Sequence, residues 1–235
     1  MKKYELTEET VTVSRKTLHR IRAIRGFESV KTGEIGGYIE KEENLSHFGN
    51  AWVYDNAEVY GNANVSGDAR VFSNAKVSGN AEVYGNANVS GEASVFSNAK
   101  VYGNAEVYGN ANVSGEASVF SNAKVYGKAE VYGDAEVYGD AKVSGNAEVY
   151  GNAEVYGEAC VCDTRHFFVQ GPIGSRNGFV TFYRTKDDTV GVRCGCFSGS
   201  IQEFVDKVER THGGSRYEKE YKLAAELAKV CIELK

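Results

Sequence analysis

The chain has 235 residues, with 27 Gly, a single Pro and a formal net charge of −5. The charge is concentrated: residues 49–162 hold fourteen Asp and Glu against six Lys and Arg, while the segments on either side are nearly balanced. An acidic middle argues against a bulk nucleic-acid binder, which needs a basic footprint to neutralise phosphates, and no run of about 18 apolar residues is present to span a membrane.

The opening MKKYELTEET lacks the apolar stretch of a secretory signal, so the expected location is the cytoplasm of a bacterial cell. Residues 1–36 read as an N-terminal β cap. The stretch VTVSRKTLHRIRAIRGF predicts two short strands joined around Ser14 to Thr17 and laid across the first coil of the unit that follows. Lys16, Arg20, Arg22 and Arg25 form a basic patch there. A phosphate-binding role competes with the simpler reading of a solvated cap face, since no aromatic platform accompanies the patch.

From residue 49 to residue 162 the sequence divides into nineteen uninterrupted hexads, GNAWVY, DNAEVY, GNANVS and onward to GEACVC. Ala holds the third position and Val the fifth every time. Side chains alternate along a strand, so Ala and Val share one face, the core, and positions four and six share the other. Gly, Ser or Asp at position one, followed mostly by Asn, Asp or Glu, marks a corner, because Gly and Asn tolerate left-handed backbone. One hexad cannot bury its own apolar face, so coils must stack. With three hexads to a coil, the repeats give about six coils on the order of 30 Å long. GYIEKE (37–42) and ENLSHF (43–48) read as degenerate entry units, so the solenoid is expected over 37–162.

The pattern of small residue, aliphatic residue and turn pair resembles the left-handed parallel β-helix of hexapeptide-repeat acyltransferases. The segment VKTGEIGGYIEKEENLSHFGNAWVYDNA is similar to the start of uncharacterised enterobacterial β-helix proteins, labelled acyltransferases, that look prophage-borne. The likeness spans about residues 27–162. It implies a homo-oligomer, trimer or dimer, with acyl-coenzyme A bound between shafts and a His as general base. The hexads contain neither an inserted loop nor a histidine: His19, His47, His166 and His212 all lie outside them, and only His47 and His166 border the shaft. A base must come within hydrogen-bond reach of the group it deprotonates.

An 18-residue coil sorts the sixth positions into three columns. One is an unbroken run of five aromatics, Tyr84, Tyr102, Phe120, Tyr138 and Tyr156. Its hexads carry Glu82, Glu116, Asp134, Glu136 and Glu154 against Lys100. Aromatics on rigid elements are good contact anchors, so these five rings with Glu82, Glu136 and Glu154 are the candidate surface for a protein partner. Stacked rings also stabilise neighbouring layers, which is the competing role. Residues 61–84, 85–108 and 109–132 are near-identical 24-residue blocks, so the pattern rotates around an 18-residue coil. The shaft's charge of −8 is under half of the roughly 18 phosphates that duplex DNA carries over about 30 Å, which ranks DNA mimicry behind protein binding.

Residues 163–235 leave the hexad rule and predict an α+β module, with strands at about 166–170, 178–184 and 189–196 and then two helices. Ser200 with Glu203, and Ser215 with Glu218, read as capping boxes. The loop GPIGSRNG offers Gly174, Ser175 and Arg176 to an anion, but it lies between strands and matches no phosphate-loop pattern, so a plain hairpin connection is the favoured reading. Five cysteines in a reducing compartment predict free thiols or a metal site. Cys160, Cys162, Cys194 and Cys196 are the candidate zinc ligands, residues two apart sharing a strand face. Against this, Cys194 and Cys196 align with Val190 and Val192 on an apolar face, whereas Cys160 and Cys162 are expected to point out of the shaft. No cofactor is expected. The expected function is that of a non-enzymatic scaffold or protein-binding protein, in its most concrete form a phage-encoded inhibitor of a host protein; the alternatives are acyl transfer and acidic DNA mimicry.

Overall fold

The computed structural model describes residues 2–234 and is mainly β: stacked parallel strands form a solenoid that ends in a small module of sheet and helices. Each hexad contributes one two-residue strand from its fourth and fifth positions, beginning with Trp52–Val53 and ending with Cys160–Val161. Strands 18 residues apart pair in parallel and in register, Val59 beside Val77 and Val77 beside Val95. A coil therefore holds three hexads, and the shaft has three faces. One face has seven strands, from Trp52–Val53 to Cys160–Val161, and a second has six, from Asn64–Val65 to Glu154–Val155. The third starts with β3 (Ile35–Ile39) and continues from Glu58–Val59 to Glu148–Val149. Leu45 bridges to Val65 in parallel, so both degenerate entry units belong to the first coil.

Every repeat Ala is at most 1% exposed and every repeat Val is fully buried. The core is thus a column of small side chains, and each buried Val contributes about 1.5–3 kcal/mol relative to an exposed one. Position one adopts positive φ at all nineteen corners: 63° to 75° at glycine, and 52° to 62° where Asp55, Ser73, Ser97 and Ser121 stand instead. Position two adds a feature that the repeat pattern does not announce. Its amides form hydrogen-bonded ladders along the corners, Asn62 to Asn80 (3.1 Å), Asn80 to Asn98 (2.8 Å) and Asn86 to Asn104 (3.1 Å).

The shaft has a direction. Strand amides donate to carbonyls of the following coil, as Tyr84 N–H does to Val101 at 3.0 Å. Carbonyls are therefore left over at the N-terminal end and amides at the C-terminal end, and each needs a partner of the opposite kind. At the N-terminal end the partners are donors. The Lys3 ammonium, fully buried, reaches the Ala51 carbonyl at 2.6 Å, and the Asn44 amide reaches that of Ala63 at 2.8 Å. The Tyr4 hydroxyl lies 2.9 and 2.8 Å from the carbonyls of Glu42 and Leu45. Burial, with Arg25 nearby, lowers the Lys3 pKa to about 8. At the other end the partners are acceptors: Thr164 Oγ1 takes the Glu148 amide (3.0 Å), Thr181 Oγ1 that of Glu154 (2.9 Å), and His166 Nδ1 that of Cys162 (3.2 Å).

The N-terminal strands β1 (Tyr4–Val13) and β2 (Lys16–Ala23) form the expected hairpin, turning at Ser14 and Arg15 with φ of 50° and 67°. The start of β1 lies over the end of the first coil, with Tyr4, Ile21 and Ala23 joining the shaft core. In addition β2 pairs antiparallel with β3 and extends that face's sheet, because β3 presents an edge that needs strand partners. Three of the four cations of the basic patch are paired where they stand: Lys16 with Glu40 at 2.7 Å, Arg20 with Glu9 at 3.2 Å, and Arg22 with Glu5. Trp52, at an outward fourth position, is fully buried beneath Tyr4 and Phe27.

The C-terminal module is a four-stranded antiparallel sheet, Phe167–Ile173, Gly178–Arg184, Val190–Cys194 and Phe197–Ser200, with α1 (Ile201–His212) and α2 (Arg216–Cys231) packed on it. Its separate core includes Val180, Phe182, Val192, Phe204 and Ala225. The strand expected at 189–196 ends at Cys194, since Gly195, at φ 55°, turns the chain into a fourth strand, Phe197–Ser200, that was not expected and that pairs Phe197 with Cys194. Ser200 and Glu203 form the expected capping box. Ser215 caps α2, but the Glu218 carboxylate accepts from the Gly214 amide.

The corner geometry makes a direct prediction. A Cβ at Gly115, φ 71°, would lie 2.8 Å from the backbone of Gly133. Gly115→Ala is expected to destabilise by at least about 1–2 kcal/mol, read as a lower urea midpoint, whereas Ser97→Gly at an equivalent corner is expected to cost nothing or to stabilise.

Candidate functional site

The five aromatics form one ladder on the six-stranded face. Tyr84, Tyr102, Phe120 and Tyr138 stack at 4.7–4.9 Å with planes within 5° of parallel. Tyr156 follows at 4.7 Å but tilts by 43°. The rings are half-buried, each covering its neighbour's face and leaving an edge to solvent. Burial raises the Tyr102 and Tyr138 hydroxyl pKa values, with Glu154 adding to the effect at Tyr138.

The tilt marks the place where the module meets the ladder. Arg193 lies over Tyr138 and Tyr156, 5.9 and 5.4 Å from the ring centroids, and its Nε donates to Glu154 at 2.8 Å. The Tyr138 hydroxyl donates to the same carboxylate at 3.0 Å. Glu154 and Tyr156 thus serve the docking of the module. Tyr84, Tyr102 and Phe120 remain open, together with Glu82, which lies 3.9 Å from Lys100, and Glu136.

A cleft of about 840 Å³ opens between this end of the ladder face and the module. Asp134 and Glu136 stand on the shaft side, while Phe179, Phe197 and Tyr221 form an aromatic wall opposite, with Arg176 and Lys207 at the rim. Among the described residues the Glu136 side chain makes no hydrogen bond or ion pair. Partial desolvation, with Glu154 as a second cause, holds its carboxyl above the usual range, and Arg193 opposes the shift.

The other candidates fall apart from one another. Ser175 and Arg176 are exposed at the cleft rim, but the Gly174 amide donates to Glu220 at 2.7 Å, so an internal carboxylate already holds the position proposed for an anion. The segment is a hairpin turn between paired strands. Cys194 is half-buried in the cleft and Cys196 exposed on the turn beside it, while Cys160 and Cys162 end the seven-stranded face. The expected apolar face does not hold Cys196, because the strand stops at Cys194. Among the described residues no three His, Cys, Asp or Glu converge on a metal position. Burial pushes the Cys194 thiol up, partly offset by a hydrogen bond with Tyr221, whose own pKa is pushed up to about 12; neither group ionises near neutrality.

His47 packs on Tyr4 at 4.3 Å and lies 3.4 Å from the Lys3 amide, and His166 is buried between Cys162 and Arg184. Both are engaged in closing shaft ends. Arg193 and the cleft wall were not foreseen, since the sequence carries no signal for which face the module covers. No protein-family model matches the chain, and no curated protein matches it.

Glu136 sets a pH dependence. A carboxyl whose folded pKa is raised binds its proton more tightly in the folded state, so stability falls as pH rises from the ordinary carboxylate value near 4.5 through the raised one. The urea midpoint of the wild-type chain minus that of Glu136→Gln is expected to decline across this window, with the variant the more stable at pH 7. A difference that is flat with pH would contradict the desolvated carboxylate.

Proposed function

We propose that the chain is a non-enzymatic scaffold that binds a protein partner through the six-stranded face, and that the partner presents Arg or Lys to it. The observation that carries this reading is Arg193, which shows the seat that the face forms for a guanidinium: two ladder rings and the fourth-position carboxylate of the lower ring's hexad. Cations over aromatic faces are attracted by the ring quadrupole, and planar guanidinium adds directed hydrogen bonds. The repeat generates the same set one coil up, at Phe120, Tyr138 and Glu136, beside the cleft, where Glu136 has no ion pair among the described residues. Five acids against one base in the face's hexads favour a basic partner and speed its approach.

The finer version, an inhibitor of a host protein carried by a phage or prophage, rests on the resemblance of residues 27–162, as do a left-handed winding and assembly as a homo-oligomer. Acyl transfer has less support, because the two histidines nearest the shaft are tied into its end caps.

Capture from a bacterial lysate by the immobilised chain, compared with Phe120→Ser/Glu136→Gln, tests the reading. Ser stands natively at the sixth position of other hexads, as at Ser66, Ser78 and Ser114, so the fold is expected to survive, as checked by its melting curve. Capture is expected to drop by at least about tenfold, equivalent to 1.4 kcal/mol. Equal capture by the folded variant overturns the assignment of this face.

A further inference from the structure

The sixth-position column of the seven-stranded face reads Tyr54, Phe72, Ser90, Tyr108, Tyr126, Ser144 and Cys162. Rings follow one another twice: Tyr108 and Tyr126 stack at 4.9 Å with 2° between their planes, while Tyr54, below Phe72, packs against the shaft core. Ser90 interrupts the series for one rung. Coils two apart are separated by about 9.6 Å, so Phe72 and Tyr108 bracket a gap the thickness of one ring. A cavity of about 340 Å³ lies there, between Phe72 and Tyr108, with Ser90 between them and Arg70, Asn88 and Glu106 beside it.

The ladder on the neighbouring face gives the measure of what fits. There Tyr102, between Tyr84 and Phe120, holds its ring 4.9 and 4.8 Å from theirs. The gap at Ser90 has this spacing and a serine in place of the ring. The charges at its mouth are already matched, Arg70 with Glu28 at 2.5 Å and Glu106 with Lys124 at 2.9 Å. The site therefore presents two π faces and a polar but electrically balanced rim. That chemistry suits a neutral planar group, and a slot one ring deep and open to solvent suits a ring carried on a longer chain.

We infer that the gap at Ser90 is a docking slot for one aromatic side chain, Tyr or Phe, of a partner polypeptide. It lies on a different face from the Arg193-type seat and does not depend on it. A ring entering edge-first gains two stacked neighbours at once and covers the exposed faces of Phe72 and Tyr108. A branched aliphatic side chain is thicker than the gap and gains neither stack.

The test is a residue-resolved NMR titration of the full chain with N-acetyl-tyrosinamide, with N-acetyl-leucinamide as the non-planar comparison. Saturable shifts at Ser90 and Tyr108 are expected with the tyrosine probe only. They are expected to vanish in Ser90→Tyr, which supplies the ring covalently, and in Phe72→Ser, which removes one wall. Ser90→Tyr is also expected to raise the melting temperature by completing the stack from Phe72 to Tyr108. No shift with the tyrosine probe, an equal shift with the leucine probe, shifts that persist in Ser90→Tyr, or a lower melting temperature for that variant would each overturn the slot.

Discussion

The solenoid depends on the one-way sense of its backbone hydrogen bonds. Each strand amide looks toward the next coil and each carbonyl toward the previous one, so the two ends of the shaft are chemically different surfaces. An unmatched buried backbone group costs about as much as a lost hydrogen bond, and an open parallel edge also invites pairing with other chains. The chain meets this with opposite chemistry at opposite ends. An ammonium, a carboxamide, a phenol and a hairpin close the carbonyl end, and two threonine hydroxyls and an imidazole nitrogen close the amide end. His166 is explained by this need: two N–H groups, from Cys162 and Arg184, approach its Nδ1, and burial followed by Arg184 lowers its pKa, so the neutral ring is retained as an acceptor.

The shaft was legible because its information is periodic. Ala at position three and Val at position five report burial directly, and a corner that needs positive φ reports itself as Gly, Ser or Asp. The eighteen-residue coil then sorts the surface columns without further assumption, which is why Tyr84 through Tyr156 emerge as one ladder. Position two was only half legible. Asn was read as a corner former, yet its amide also bonds to its counterpart one coil away, and this second role appears only once the coil length is known.

The ends and the module were less legible because nothing in them repeats. Lys3 looks like any terminal lysine until the Ala51 carbonyl is placed above it, and Trp52 occupies an outward position that becomes interior only when Tyr4 and Phe27 close over it. In the module, Cys194 and Cys196 share a parity that suggests one strand face, but the turn at Gly195 breaks the parity between them. Arg193 alternates with Val192 and so was bound to face away from the module's core. Its target, Glu154, depends on how far the exit segment rotates around the shaft, a quantity no local pattern encodes.

The mismatch between a 24-residue duplication and an 18-residue coil gives the three faces different surfaces from nearly identical units. Each block moves its phenylalanine on by one face, Phe72, Phe96 and Phe120, and likewise its serine, Ser66, Ser90 and Ser114. On the six-stranded face the serine falls at the first coil and leaves the ladder unbroken. On the other two it falls within a column and opens gaps. A single repeating unit thus produces a continuous aromatic and acidic face beside faces notched at defined rungs, without altering the Ala and Val column that holds the coils together. Changes of phase and changes of stability are thereby decoupled: duplication by four hexads adds core layers of unchanged chemistry while it redistributes the rings outside. A solenoid built in this way gains new surface patterns at little cost to its fold.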